Sequence, residues 1–516
     1  MAHVTLIRGP SLIPKWSDSG PLTPPIGPAY LAASLREAGH AVQIIDGLGE
    51  KPSQVTSLFA GRMIAFGLTS EEIAEMVDPK TDLVGVSCMF SQDWPEVRRL
   101  IELVRRRLPN TPIVTGGEHI NAVREFTLEA CPAVDFCVLG EGEEILVDLT
   151  NSLESGKPLD RVGGMIYRGE GGKPRLTGPR ARIKKVDDIP YPAWDLVPIH
   201  NYLDQHLGYG VDLGRSMAVI ATRGCPYQCT FCSNPQMWTT RWIARDPNKV
   251  LDEIEFYMRK YDATNFDFYD LTAIVKRQWI IDFCHLILKR GLKFTWQLPS
   301  GTRSEAIDSE VTRLLYESGC RNLSYAPESG SPAVLQRIKK KVHLDRMERS
   351  MRSAIGNGLN LKLNIIMGFP DEKRSEIWQT IGFLAKVGLL GVHDASVSMF
   401  SPYPGSELYD QMRAQGRIPE LSDEYFLSLG SYKDFTQTVS FAHGMSTNEL
   451  GFYRILGMLV FYGVQYAVRP WRLVGTIVNL FRQRQVSRLD KSLQDLAKRI
   501  LGRHETPVPK GKRQAA

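Results

Sequence analysis

Three cysteines carry the most specific chemistry in this sequence. Cys225, Cys229 and Cys232 stand at C-x3-C-x2-C spacing in the stretch Arg223-Gly224-Cys225-Pro226-Tyr227-Gln228-Cys229-Thr230-Phe231-Cys232-Ser233. Thiolates so close in sequence can converge on one metal centre. A structural zinc needs a fourth Cys or His, and none follows within fifty residues of Cys232. A zinc site completed from far along the chain, or three unconnected thiols, are the plainer alternatives. An iron–sulfur cluster held by three thiolates instead leaves one iron open to a further ligand. With eight cysteines in all, a clustered triad suits metal use in a reducing compartment better than disulfide pairing.

The elements that must position these thiols can be read around them. The apolar run 218–221 reads as a strand that empties into Gly224 and Pro226. Helices expected over 247–261, 278–290, 310–318, 344–357 and 376–387 alternate with strands expected over 265–268, 293–297, 322–326, 361–367 and 395–400. Six parallel strands with right-handed helical crossovers make an open, partial (β/α)6 barrel, and such a barrel places its chemistry at the carboxyl ends of the strands.

The C-x3-C-x2-C loop, with Phe231 just before its last cysteine, resembles the radical S-adenosylmethionine (SAM) superfamily. That resemblance implies a 4Fe–4S cluster on Cys225, Cys229 and Cys232, with SAM chelated at the fourth iron and cleaved to a 5′-deoxyadenosyl radical. Pro327-Glu328-Ser329-Gly330 resembles the family's Glu-Ser-Gly turn, so Glu328 and Ser329 are expected at SAM, with Phe231 near the adenine. A carboxylate suits an ammonium or ribose hydroxyl. Gly368-Phe369-Pro370-Asp371-Glu372 and Phe400-Ser401-Pro402-Tyr403-Pro404-Gly405 are similar to its later strand-end turns, with Asp371 where glycine is usual. Asp267-Phe268-Tyr269-Asp270 is a looser match to a second SAM contact. Simple loop packing is the alternative for each turn taken alone. Cys284 and Cys320 fall in or beside helices and read as core.

Upstream, strands over 3–8, 42–46, 83–87, 113–115 and 136–139 alternate with helices, including one over 29–37 closed by Gly39 and one over 95–108. This pattern indicates an open, doubly wound α/β sheet of Rossmann or flavodoxin-like type, with ligands beyond the strands' carboxyl ends. Ser87-Cys88-Met89, followed after 26 residues by Gly116-Gly117, resembles the Ser-x-Leu and Gly-Gly elements of cobalamin-binding domains. The resemblance implies that Ser87, Thr115, Gly116 and Gly117 line the slot for the nucleotide tail, where side-chain-free residues permit close approach. The histidine motif that supplies cobalt's lower ligand in many such domains is missing, since no His lies between Arg8 and Ala29. A displaced tail is therefore expected, with water, another side chain or nothing on the lower face. His119 is a candidate to face the cofactor, and a surface or hydrogen-bonding histidine is its plainer role.

The expected organisation is a cobalamin-binding domain over 1–156, a linker with a hairpin over 157–213 and a barrel over 214–440. A helical extension over 441–503 and a disordered tail over 504–516 complete it. The composition, 43% hydrophobic and 23% charged, is that of an ordinary soluble globular protein. No signal peptide is expected at Met1-Ala2-His3, and the apolar run 456–468 contains Gln465 and is too short to span a bilayer. The cytoplasm is the expected compartment. The net charge of +6 misleads as an average, because the residues from Arg469 onward hold twelve Lys/Arg against three Asp/Glu. The body is thus slightly acidic, and no nucleic-acid partner is implied. The basic amphipathic helices of the extension can lie on an anionic membrane surface; a cap packed on the barrel, its arginines solvated, is the ordinary reading.

Together these resemblances imply a cobalamin-dependent radical SAM enzyme with a 4Fe–4S cluster, SAM and cobalamin. The leading expectation is methyl transfer. One SAM methylates cob(I)alamin, a second gives the radical, and the substrate radical takes methyl from methylcobalamin. The expected partners are a small-molecule or lipid-like substrate and an electron donor such as flavodoxin or ferredoxin. Oxidative cyclisation or rearrangement without methyl transfer, as in the anaerobic magnesium-protoporphyrin ester cyclase family, is the alternative within enzymes. A non-catalytic cobalamin sensor is the alternative outside them.

Overall fold

The computed structural model of the chain describes residues 1–17, 22–432 and 439–500. Five short apolar runs form the parallel part of an amino-terminal sheet: β1 (His3–Arg8), β2 (Ala41–Asp46), β3 (Leu83–Ser87), β4 (Ile113–Gly116) and β5 (Phe136–Val138). Their side chains are buried on both faces, by α1 (Ile26–Glu37) and α4 (Gly142–Ser155) on one side and α2 (Trp94–Arg107) on the other. A five-residue helix, α3 (Glu118–Ala122), follows β4 directly. The parallel strands lie in the order β5-β4-β3-β1-β2, which reverses direction between β1 and β3. In a doubly wound sheet that point opens the ligand crevice. The register sets Arg8 beside both Asp46 and Ser87, and Ser87 beside Gly116. Four strand-end residues thus stand in a row along the carboxyl edge.

Two features of this region differ from a plain reading of the sequence. The hairpin, β6 (Met165–Arg168) with β7 (Pro174–Leu176), pairs antiparallel onto β5 and extends the sheet to seven strands. The Pro/Gly-rich stretch after β1 contains the strand Ser11–Pro14, which joins Met63–Phe66 and Val55–Leu58 in a small antiparallel sheet. Strands of four residues give too few alternations to register as a period. Gly20 and Pro21 of that stretch lie outside the described residues.

The second sheet holds six parallel strands in chain order: β8 (Ser216–Val219), β9 (Asn265–Phe268), β10 (Thr295–Thr302), β11 (Cys320–Glu328), β12 (Asn360–Met367) and β13 (Asp394–Met399). A short helix, α5 (Asn234–Trp238), follows the cysteine loop. The crossover helices are α6 (Pro247–Tyr261), α7 (Arg277–Arg290), α8 (Ser309–Glu317), α9 (Leu344–Gly356) and α10 (Arg374–Leu390). Sequential order with parallel pairing throughout is the partial barrel expected from the alternation of strand and helix. Cys284 and Cys320 are buried in its wall.

An open barrel leaves β13 with an unpaired edge, which sheet proteins must cover. Beyond α11 (Asp423–Ser428), the helix α12 (Thr447–Val468) covers it. Arg454 Nε donates to the Val397 carbonyl at 3.0 Å, Gln465 Nε2 donates to the Val392 and His393 carbonyls, and the Tyr462 hydroxyl donates to Asp394 at 2.5 Å. Pro470 then breaks the helix and begins α13 (Pro470–Phe481). The last described helix, α14 (Arg488–Ile500), returns beneath the barrel, where Arg488 and Lys491 donate to carbonyls of Gly208, Tyr209 and Gly210. The helical cap is therefore real on the inner face of α12. Residues 504–516, expected to be disordered, lie outside the described residues.

Candidate active site

The cysteine loop leaves the carboxyl end of β8 through Thr222–Arg223, which pairs with Ile243–Ala244 in a two-stranded ribbon. Gly224 then turns the chain at φ +82°, and a side chain there would collide with the Arg241 carbonyl. Only glycine meets both conditions. The loop is held from three directions. Asp270 accepts from the Thr222 N–H at 2.5 Å and the Thr222 hydroxyl at 2.6 Å, Thr230 N–H donates to the Ile338 carbonyl, and Leu408 N–H donates to the Thr230 carbonyl. Burial pushes Asp270 up to about 6 despite those donors. Asp270 is thus a brace for the loop, and Asp267, which accepts from Gly210 N–H at 2.8 Å, lies deeper in the barrel.

Cys225, Cys229 and Cys232 are free and partly exposed, whereas the other five cysteines are buried. The Thr272 hydroxyl approaches Cys225 Sγ at 3.4 Å, and Cys232 N–H donates to the Cys229 carbonyl at 3.0 Å. Burial pushes the Cys232 thiol up to about 12, with Glu118, Cys229 and Cys225 adding to it. Its thiolate therefore needs nearby positive charge, which a metal centre supplies. Among the described residues, no three His, Cys, Asp or Glu side chains converge tightly enough to share a single metal ion. A cubane cluster makes no such demand, because each thiolate binds a different iron. The surroundings fit an occupant as well. Next to the triad, Thr230 Oγ1 and both side-chain polar atoms of Asn234 are buried without a partner, as are Thr302 Oγ1, Ser304 Oγ and Ser331 Oγ after β10 and β11. Buried polar atoms are normally paired, and these orphaned groups are free to bond a polar ligand held beside the loop.

The strand-end turns pack against the cysteine loop. Phe231 packs against Phe369 at 5.7 Å between ring centroids, and Phe369 against Phe400 at 5.3 Å. One aromatic wall thus joins the cysteine loop to the turns after β12 and β13. Glu372 steadies the first of these turns by accepting from the N–H groups of Gly368 and Phe369; burial pushes it up to about 7. Glu328 ends β11 at φ +70°, a left-handed conformation costly for a residue with a Cβ. Its Oε1 is paired with Lys340 Nζ at 2.8 Å, with Glu328 buried and the Lys340 side chain nearly so. The Ser329 hydroxyl is turned away from solvent onto Thr380, at 3.0 Å.

Lys340 and Arg303 are site residues that reading the sequence missed. Lys340 Nζ lies 6.0 Å from the Phe231 ring, and both cations act electrostatically on Cys229. Arg303 stacks 3.7 Å over the Tyr227 ring and is anchored by Glu305. In sequence, Lys339-Lys340-Lys341 looks like a solvated basic run; only the fold draws its middle member out of solvent.

On the amino-terminal side, Ser87 and Gly116 are neighbours in register and half-buried. The two glycines have different roles. Gly117 turns the chain at φ +122°, and a Cβ there would collide with the Cys88 carbonyl oxygen, so this glycine serves the fold itself. A Cβ on Gly116 would meet nothing nearer than 3.6 Å, so this glycine leaves a cradle that a side chain would fill. Thr115 is buried and its hydroxyl donates to the Val86 carbonyl at 2.9 Å. His119 is buried too. Its ring stacks on Trp94 at 5.0 Å, meets Phe426 edge-on at 5.1 Å, and shares a hydrogen bond of 2.9 Å between Nδ1 and the Ser91 hydroxyl. Burial lowers it to about 3, so it stays neutral. Near the switch point, Arg8 donates to the Tyr202 hydroxyl at 3.0 Å and to Asp46, and Asp93 is pushed up to about 7 by burial.

The two halves are locked together beside the thiols. The Ser233 hydroxyl, adjacent to Cys232, bonds to the half-buried Glu118 carboxylate of α3. Arg223 reaches across to Glu143 at 2.6 Å and Glu141 at 3.2 Å, all three buried, and the half-buried Arg182 reaches Glu141 at 2.7 Å. The Tyr30 ring lies 5.1 Å from the Arg223 guanidinium. Burial works against the charge on Arg223, but Glu143, Tyr30 and Glu141 outweigh it and hold its pKa above the usual value.

Comparisons with known proteins agree with this division. The B12 binding domain family model matches residues 17–150, and the Radical SAM superfamily model matches residues 219–384. An uncharacterized methyltransferase of Pyrococcus horikoshii is 32% identical over 394 residues, covering 76% of this chain and 79% of its own. The anaerobic magnesium-protoporphyrin IX monomethyl ester cyclase of Rubrivivax gelatinosus is 25% identical over 395 residues, covering 75% of this chain and 66% of its own. Among solved structures, the radical SAM methyltransferase TsrM of Kitasatospora setae, with cobalamin and a [4Fe-4S] cluster bound, has a similar fold. It superposes with a TM-score of 0.64 at 17% identity, over 82% of this chain and 80% of its own.

Proposed function

The chain belongs to the radical SAM enzymes that carry a B12-binding domain, and we propose that it transfers a methyl group to an unactivated carbon of a small-molecule or lipid-like substrate. The observation that carries this reading is the junction of the two halves, where the Cys225/Cys229/Cys232 loop is bonded through Ser233 to Glu118, directly after the Gly116-Gly117 turn. When bound, the cluster supplies the electron that cleaves SAM to a 5′-deoxyadenosyl radical, and the cobalamin supplies the methyl group.

The protein's own part is binding, orientation and shielding. Cys225, Cys229 and Cys232 would hold the cluster. Glu328 is the acceptor for the SAM ammonium or ribose, and its ion pair with Lys340 holds the carboxylate in place while that ligand is away. Arg303 and Lys340 offer the matching positive charge for a carboxylate. Phe231, Phe369 and Phe400 form an apolar wall that keeps water from a reactive carbon centre. Ser87, Thr115 and Gly116 would flank the nucleotide tail of cobalamin, with Gly117 holding the turn beside it. His119, neutral and boxed by Trp94 and Phe426, supports that region from behind. A flavodoxin or ferredoxin in the cytoplasm is the fitting electron donor. Peripheral contact with a membrane through the carboxyl-terminal helices belongs to the same reading.

Similarity to the magnesium-protoporphyrin ester cyclases supports a second reading, oxidative cyclisation without methyl transfer. Anaerobic reconstitution, with iron and cobalamin counted per chain, followed by turnover with candidate substrates separates the two. S-adenosylhomocysteine together with 5′-deoxyadenosine is expected. Deoxyadenosine alone refutes methyl transfer, and no cleavage of SAM by the fully loaded protein leaves the sensor reading.

A further inference from the structure

The inner face of α12 is buried against the barrel, but its outer face and the whole of α13 are not. Phe452, Ile455 and Leu459 recur at helical spacing along the outer face of α12 and are 58%, 53% and 65% exposed. Trp471, Val474 and Phe481 carry the same character along α13 at 65%, 60% and 83% exposed, and α13 has no buried residue at all. A soluble protein rarely shows so many large apolar side chains on two consecutive helices unless something covers them. The charge around them is one-sided. Between residues 450 and 489 there are six arginines and no Asp or Glu. Two of the six, Arg482 and Arg484, are exposed beside Phe481 at the end of α13.

We infer that α12 and α13 dock the protein on an anionic lipid surface, with Trp471 and Phe481 entering the headgroup boundary and Arg482 and Arg484 pairing with lipid phosphates. This deepens the peripheral contact proposed above and rests on that part of the reading, independently of methyl transfer. Amphipathic helices with aromatic and aliphatic residues on one face and arginines at its border bind in this way. The charge pattern also decides between occupants. A second copy meeting this face symmetrically would bring arginine against arginine, whereas an anionic bilayer complements both the apolar stripe and the positive border.

The test uses the full chain and vesicles of phosphatidylcholine with about one third phosphatidylglycerol, compared with phosphatidylcholine alone, at about 0.1 M salt, where charges act over roughly 10 Å. Co-sedimentation should be roughly tenfold stronger with the anionic vesicles. Trp471→Glu combined with Phe481→Glu should lower binding to the anionic vesicles by at least about tenfold. Arg482→Gln with Arg484→Gln should remove most of the preference for anionic vesicles. All variants should keep the parent's circular dichroism and thermal transition, because none of these side chains is buried. No pelleting with either vesicle, equal binding to both, or variants that bind like the parent would overturn the inference. So would light scattering that shows a dimer dissociated by Trp471→Glu, since a second copy would then be the occupant. SAM cleavage by the reconstituted protein without lipid is the separate readout for the enzymatic reading, so either can fail alone.

Discussion

Removing Arg223 tests whether the thiol loop is anchored to the cobalamin-side domain by buried charge. Its guanidinium spans Glu143 at 2.6 Å and Glu141 at 3.2 Å and lies 5.1 Å from the Tyr30 ring, with Arg223 itself only 7% exposed. Substituting Arg223→Met keeps the volume and strands the charge of its partners. Breaking a buried pair from one side costs about 3–5 kcal/mol, most of it from the charge left unpaired. Here the lower end applies. Glu141 keeps Arg182 at 2.7 Å and the Ile183 N–H at 2.9 Å, and Glu143 keeps the favourable field at the start of α4. The expected loss is therefore about 3 kcal/mol, or roughly 6–12 °C in the melting of a cooperative unit of about 150–250 residues. Arg223→Lys should fall between the two, since an ammonium cannot span both carboxylates. The assay is thermal and urea unfolding of the two variants, of Glu143→Gln and of Arg223→Met/Glu143→Gln. The double variant should lose clearly less than the sum of the singles, because its second change removes the stranded charge. A loss under about 1 kcal/mol for Arg223→Met, or strict additivity, would refute the anchoring argument.

Three further outcomes are expected. Gly117→Ala should lower stability by about 1–3 kcal/mol through backbone strain and collision with Cys88, whereas Gly116→Ala should fold normally and weaken cobalamin binding at least about tenfold, read by absorbance titration; the reverse pattern would exchange the roles given to the two glycines. His119, lowered to about 3 by burial, binds its proton in the unfolded chain below about 6.5 but not in the folded one. Stability should therefore be full above that pH and fall by about 1.4 kcal/mol per unit as pH drops toward 3; His119→Phe should flatten the curve by that slope, and parallel curves would show that the imidazole is not held neutral. Cys232→Ser should lower the iron bound on reconstitution and abolish 5′-deoxyadenosine formation, while Cys284→Ala should keep the parent's iron content; equal iron in all three would remove Cys232 from the cluster.

What the sequence determined by itself is local or periodic. The C-x3-C-x2-C spacing, the six strand–helix steps and the Ser87 and Gly116-Gly117 elements need only their neighbours to be recognised, because hydrophobic period and thiol spacing are short-range properties. The tertiary structure decided which distant charges and rings meet. Glu143 reaches Arg223 from 80 residues away, and Phe426 boxes in His119 across some three hundred residues of sequence. Lys340 is a nearly buried partner of Glu328 only because the turn after β11 folds back over it. Likewise the linker hairpin became part of the first sheet because β5 presents an edge there, and α12 became a cap because an open barrel leaves β13 with unpaired carbonyls. A buried charge or an exposed sheet edge takes its meaning from the group that satisfies it, and the chain's order does not specify where that group will be.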